Sequence, residues 1–265
     1  MKDEGTSKTG VEKNAAKNDI RFATDIRFAT KEALFFFLAS ELQRYSEHET
    51  AQHISLSGGS TPKAWFSYLC STQFKESIHW SNLHFWWGDE RCVDFKDEQS
   101  NYGEAKRLLF DHIDIPKRNV HFVPLDFINT IEDYQIVAED YASKMKQEIP
   151  MRNDYPVYDW VLLGIGEDGH TASLFPKETD LESLETTLCV IKPNTHEFRV
   201  SISANTIRMA KRVTYLATGI SKAQVMSEIL NKQGGYEDYP AYLIQSELGK
   251  TEYLLDSEAS HLLTK

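Results

Sequence analysis

Between Lys31 and Gln245 the hydrophobic pattern keeps switching between helical spacing and short β-prone runs, and this switching constrains the fold more than any other feature. Helical spacing runs through Lys31–Glu47, Pro62–Ser71, Asn101–Ile113, Ile131–Ile149, Ala204–Arg212 and Ser221–Leu230. Between these lie strand-like runs at His53–Ser57, from Leu83 on, at Asn119–Val123, Tyr158–Gly166, Cys189–Lys192, Phe198–Ser203 and Val213–Gly219, with Ala241–Gln245 closing the set. Strands alternating with helices make βαβ units, so the chain is expected to be an α/β protein: a mostly parallel sheet with helices on both faces. In such folds ligands bind outside the carboxyl ends of the strands. The chemistry is therefore expected just after each strand.

Composition narrows the classes. A chain of 265 residues, 41% apolar and 26% charged, buries a full core without disulfide or metal staples. The net charge of −11 argues against nucleic-acid binding, which cationic surface drives. It leaves room for an anionic small molecule, because a local cluster of donors outweighs the global charge. Three widely spaced cysteines, Cys70, Cys92 and Cys189, form no zinc-like pattern and read as reduced, mostly buried thiols. The N-terminus lacks the apolar segment of a secretory signal, and Ala33–Ala39 is too short to cross a bilayer. No membrane partner and a cytoplasmic location are expected. Residues 1–18 are polar and read as a disordered tail, and residues 19–265 as one domain. At the junction, Asp19–Thr30 is the tandem repeat DIRFATDIRFAT. One copy is expected to form the first strand and the other to extend the tail.

Four strand ends carry candidate chemistry. After His53–Ser57 come Gly58, Gly59, Ser60 and Thr61, then Pro62 at the expected first helical position. Glycines that turn backbone N–H groups outward, two hydroxyls and a helix N-terminus make a phosphate cradle, or else an ordinary capped turn. The Walker pattern is absent. The aromatic strand from Leu83 ends in Asp89, Glu90 and Arg91, which suit a sugar hydroxyl or an anion, or pair among themselves at the surface. The third end is the glycine-rich run Gly164–Gly169 followed by His170. It fits GxGxxG literally, but no ribose-binding acid follows at about 20 residues, so a dinucleotide site is rejected. What remains delivers Asp168 and His170 to the rim. A histidine beside an acid there suits general-base work, while Asp168, Thr171 and Ser173 could equally cap a following helix. The fourth end places Lys222 in a first helical turn, where it opposes the helix dipole unless an anion binds.

In this order, SGGSTP, WGDER, GIGEDGHTASLFP and GISKA resemble the 6-phosphogluconolactonase family over roughly residues 20–250. Related glucosamine-6-phosphate deaminases share the first and third motifs. They typically carry IAFNEP where this chain has Thr171–Pro176, and DEY where it has Asp89–Arg91. The resemblance implies a Rossmann-like three-layer α/β/α sandwich and hydrolysis of 6-phospho-D-glucono-1,5-lactone in the oxidative pentose phosphate pathway. It implies His170 as general base and Asp168 as its orienting partner. Gly58, Gly59, Ser60, Thr61, Asp89, Arg91 and Lys222 would hold the phosphate and sugar oxygens. No cofactor and no metal are implied, and a monomer or small homo-oligomer is expected. Pro193–Ser201 departs from the family's pattern, which weakens any role carried over to Arg199 and leaves its contact with substrate open. Two alternatives stay open: an amino-sugar phosphate deaminase/isomerase with Asp89 as base, and a non-catalytic sugar-phosphate-binding protein.

Overall fold

A computed structural model describes residues 23–125 and 131–264; the expected disordered tail and most of the first DIRFAT copy lie outside them. In chain order the strands are β1 (Thr24–Arg27), β2 (Gln52–Leu56), β3 (Leu83–Trp87), β4 (Asp89–Arg91), β5 (Met151–Arg152), β6 (Tyr155–Pro156), β7 (Trp160–Gly164), β8 (Thr187–Ile191), β9 (Phe198–Ile202), β10 (Arg212–Ala217) and β11 (Lys250–Leu255). The helices are α1 (Lys31–Ser46), α2 (Ser60–Ser71), α3 (Phe74–Ser77), α4 (Asn101–Leu108), α5 (Ile131–Glu148), α6 (Ala204–Arg208), α7 (Ala223–Asn231) and α8 (Pro240–Leu243). Six strands form a parallel sheet in the order β1-β11-β10-β7-β2-β3. A smaller antiparallel sheet, β4-β9-β8, and the β5–β6 hairpin stand beside it.

Strand alternation builds the layers. On β7, Trp160 and Leu162 pack with α1 and α2, whereas Val161 and Leu163 pack with α5 and α7. The same parity splits Trp86 from Phe85 and Trp87 on β3. Both faces of the central strands are apolar, so both need a helical cover, which gives three layers. The expected Rossmann-like α/β/α sandwich is the observed fold.

Three local expectations are corrected. Asn119–Val123 is not a strand: Val120 makes a single bridge to Phe85 after a 3-10 turn at Lys117–Asn119. The Asn119 amide donates to Ser81 O (2.9 Å) and Leu83 O (3.0 Å), taking carbonyls that a paired backbone would have used. Ala241–Gln245 does not close the sheet, because Pro240 opens α8 there. The closing strand is β11, disguised in sequence by Lys250 and Glu252. Buried Glu252 accepts from Arg212 Nε (2.7 Å) and Thr214 Oγ1 (2.8 Å), so its charge is paid for inside the sheet. Ser100 caps α4 by accepting from Gly103 N (3.0 Å). Pro62 is the third residue of α2 rather than the first, where a missing N–H still costs no helical bond. The second DIRFAT copy supplies Asp25–Arg27 of β1, and its Thr30 caps α1 by accepting from Ala33 N (3.1 Å).

β2 and β7 are neighbours at the middle of the sheet. The chain leaves β2 toward β3 on one side and β7 toward β10 on the other. That is a topological switch point, where the carboxyl ends of two strands part and leave a crevice. Gly88 ends β3 beside it, donating to Leu56 O and accepting from Ile202 N (both 2.8 Å), and turns the chain from the large sheet into the small one.

Candidate active site

The crevice is a cavity of about 220 Å³ walled by the loops after β2, β7 and β10 and by the small sheet. On the β2 side, Ser57 Oγ donates to Leu162 O (2.8 Å) and ties the loop to β7. Gly59 sits at φ +97°, a left-handed conformation that favours glycine. Helix α2 then starts with neither a capping side chain nor an acid in its first turn. Helix α7, which follows Lys222, starts the same way. By contrast, α1, α4 and α6 are capped by Thr30, Ser100 and Ser203. The start of α2 thus keeps its N–H groups uncapped by side chains, which suits an anion, whereas at α7 a 3-10 turn (Ile220–Lys222) runs straight into the helix and Ala223 N donates to Ile220 O. Thr61 Oγ1 and Thr218 Oγ1, 2.6 Å apart, lock α2 to the end of β10.

The loop after β7 folds back on itself. Gly169 N donates to Gly166 O and Gly166 N to His170 O. A methyl group on Gly166 would lie 2.0 Å from His170 Nδ1 and 2.4 Å from Asp168 Oδ1, so only glycine lets these side chains fold over the turn. His170 Nδ1 and Asp168 Oδ1 are 2.6 Å apart. The hydrogen bond from His170 holds the Asp168 carboxyl down at about 2, against the modest burial that would raise it. Asp168 is therefore an anion throughout the neutral range. With Nδ1 engaged, Nε2 is the ring nitrogen left for chemistry. No helix follows. Thr171 Oγ1 donates to Gly164 O (2.8 Å) and Ser173 Oγ to Asp89 Oδ2 (2.9 Å), so these hydroxyls brace the loop instead of capping a helix.

The third wall is the β4–β9 pair. Asp89 and Arg91 face the cavity, and Glu90, one residue out of phase, does not. Glu90 is 1% exposed and accepts from the N–H groups of Arg91, Asn101 and Tyr102 at 2.7–2.8 Å. Burial pushes its carboxyl up to about 7 against those three donors. Asp89, 6% exposed, is braced by Ser173 and by Asn101 Nδ2 (3.3 Å). Arg91 is the register partner of Arg199, and both line the cavity. Each guanidinium keeps a buried Nε without a hydrogen-bond partner. The two like charges are partly offset by Glu197, 2.9 Å from Arg199 Nη2, and by Asp89, 4.0 Å from Arg91 Nε, and an anion between the two guanidinium groups would offset the rest.

Gly58, Gly59, Ser60, Thr61, Asp89, Arg91, His170 and Lys222 all border this one cavity, and Asp168 stands behind His170. Arg199, whose contact with substrate the sequence left open, joins them; strand pairing with β4 places it there, and that pairing is not local. Asn101 and Ser173 were missed as braces for the same reason. Among the described residues, the one group of His, Cys, Asp and Glu side chains close enough to hold an ion lies at the other end of the sheet, not in this cavity.

An open α/β sheet with an uncapped helix start at its switch point and a histidine–aspartate pair on the rim defines an α/β protein with a ligand crevice at its strand ends. The chain belongs to the glucosamine-6-phosphate isomerase/6-phosphogluconolactonase family, whose profile matches residues 28–253. Within that family it is 41% identical to the 6-phosphogluconolactonase of Haemophilus influenzae over 238 residues, 90% of this chain and 99% of that one. The crystal structure of the devB protein superposes with a TM-score of 0.87 at 42% identity, covering 92% of this chain and all of the other. The 6-phosphogluconolactonase of Trypanosoma brucei does so with a TM-score of 0.79 at 29% identity, covering 92% and 99%.

Proposed function

We propose that this protein is a 6-phosphogluconolactonase: it hydrolyses 6-phospho-D-glucono-1,5-lactone to 6-phospho-D-gluconate in the oxidative pentose phosphate pathway. The observation that carries the reading is the His170–Asp168 pair, 2.6 Å apart, on a cavity whose other walls hold Arg91, Arg199 and Lys222. In this reading the cations and the uncapped start of α2 bind the phosphate, with Gly58, Gly59, Ser60 and Thr61 as its cradle. His170 Nε2 takes a proton from water as the water oxygen bonds to the lactone carbonyl carbon. The tetrahedral oxyanion is held by N–H donors of the glycine turns or by a guanidinium. The ring C–O bond then breaks, and the imidazolium returns its proton to the departing ring oxygen. Asp168 keeps the imidazole in the tautomer this requires.

The alternative of amino-sugar phosphate isomerisation needs a free carboxylate base, for which Asp89 was the candidate. Both Asp89 oxygens already accept hydrogen bonds, from Ser173 and Asn101, which disfavours that chemistry. A cytoplasmic location accords with three free, half-buried cysteines, and among the described residues no helix is long and apolar enough to cross a membrane.

The test couples glucose-6-phosphate and its NADP-linked dehydrogenase to an excess of 6-phosphogluconate dehydrogenase, with and without this protein. A faster second NADPH phase is expected. A second phase no faster than spontaneous hydrolysis would overturn the assignment, and ammonia release from glucosamine-6-phosphate would replace it.

A further inference from the structure

A second cluster of chemistry-bearing side chains lies at the amino-terminal end of the sheet. His53 on β2 and His84 on β3 are register partners. His121, just after the Val120 bridge, stacks on Trp86 with ring centroids 3.9 Å apart and is 1% exposed. Glu148, the last residue of α5, reaches the same point. His84 Nδ1 and His121 Nε2 face one another at 3.0 Å. Glu148 Oε2 is 3.3 Å from His121 Nδ1, which is buried and lacks a well-formed hydrogen bond. One donor atom from each of His84, His121 and Glu148 falls within 4.8 Å of the others.

We propose that His84 and His121 bind a first-row transition-metal ion of the zinc kind, with Glu148 as the carboxylate that orients His121. The orientation argument comes first. Metal-bound histidines characteristically donate their second ring N–H to a carboxylate, which fixes the tautomer. Glu148 Oε2 lies 3.3 Å from His121 Nδ1 without a well-formed hydrogen bond, so in the proposal the two pair as the ion binds, and a proton on Nδ1 leaves the Nε2 lone pair on the His84 side. Distance comes second. Two nitrogens bound at about 2.0–2.1 Å in a tetrahedral site are about 3.3 Å apart, so the 3.0 Å gap opens only slightly to admit the ion. His84 has only to carry its proton on Nε2 to offer Nδ1. Water fills the remaining positions.

His53 is not a ligand: its Nδ1 accepts from Trp86 Nε1 (3.2 Å), so its own proton sits on Nε2. It supports the cluster from behind. Ion choice follows from the donors. Imidazole nitrogens suit zinc, nickel or copper, whereas magnesium and calcium need several oxygens. Arg118 near His84 and Lys144 near His121 add positive charge that opposes any cation there, so the affinity must come from the imidazole nitrogens. The ion would tie β3, the 120–121 segment and the end of α5 together. At about 3.3 Å per residue it would lie about 16 Å along the chain from Asp89, so it acts on stability rather than turnover.

The experiment titrates zinc alone into chelator-treated full-length protein by calorimetry, for wild type, His84→Gln and Glu148→Gln. Lactonase turnover and thermal unfolding are read in parallel. Wild type is expected to bind one ion with saturation and to unfold at a higher temperature with zinc present. His84→Gln should lose that binding and the thermal shift while keeping basal turnover, which shows that it is folded. Glu148→Gln should bind about 10-fold to 100-fold more weakly. If His84→Gln is poorly folded, Glu148→Gln decides. Absence of saturable one-site binding in wild type, or wild-type affinity in the folded variants, would overturn the site and place any bound zinc elsewhere, for instance on Asp168 and His170.

Discussion

His170 and Asp168 form the tightest polar contact in the loop after β7, and the proposed chemistry rests on the unengaged nitrogen of the imidazole. His170→Ala should lower kcat by about 10²–10⁴, the range for a positioned acid or base, with KM little changed. Near-normal turnover in the coupled assay would remove His170 from the mechanism. Asp168 is set apart from it by its carboxyl, held down at about 2 by the imidazole. A lowered acid stabilises the fold above its unfolded value and loses that contribution only as pH falls toward 2, so Asp168 stays charged across any working range. In the proposed reading Arg91 and Arg199 serve binding. Removing either guanidinium should raise KM for the phosphorylated lactone, with a smaller effect on glucono-1,5-lactone, which has no phosphate. Steady-state comparison of the two substrates checks this; an equal loss on both would detach the arginines from the phosphate.

The β4–α4 junction shows how secondary-structure elements set these side chains. One extended step sends Asp89 and Arg91 to the cavity and Glu90 to the start of α4, where its carboxylate gathers three backbone N–H groups. Asn101, held by Glu90, in turn donates to Asp89. Burial raises the Glu90 carboxyl from 4.5 to about 7. Between those values the folded state holds more protons than the unfolded one, so stability falls as pH rises through the window. Urea unfolding at pH 5 and pH 7 should show that slope in the wild type and its loss in Glu90→Gln. The variant should also be less stable by about 1–3 kcal/mol, because an amide NH₂ meets a backbone donor. An unchanged slope would show that Glu90 does not titrate there.

Across the full sheet, the cavity exists because β2 and β7 lie side by side while their connections leave in opposite directions. Its walls come from four strand ends far apart in the chain, so a ligand there bridges elements that would otherwise part on unfolding. 6-Phosphogluconate, the product, should therefore stabilise the fold by linkage, by about 2.7 kcal/mol at 100 times its Kd. Thermal unfolding against product concentration measures it. A protein without such a shift, or with an equal shift for gluconate, would lack the proposed phosphate site.

Local chemistry was legible in the order of residues. Period switching announced the α/β sandwich, and the glycine–hydroxyl, acid–arginine and Asp168–His170 runs announced the strand ends, because turns and short hydrogen bonds are decided within a few positions. Long-range pairing was not. Register alone set Arg199 against Arg91 and folded Ser173 and Asn101 onto Asp89. The buried Arg212–Glu252 pair made a strand of a charged segment, while the Asn119 side chain took the carbonyls that a strand at Asn119–Val123 would have needed. These contacts join residues 12 to 108 positions apart along the chain. Their free energy depends on burial and on which strands lie side by side, and neither quantity exists until the sheet has formed.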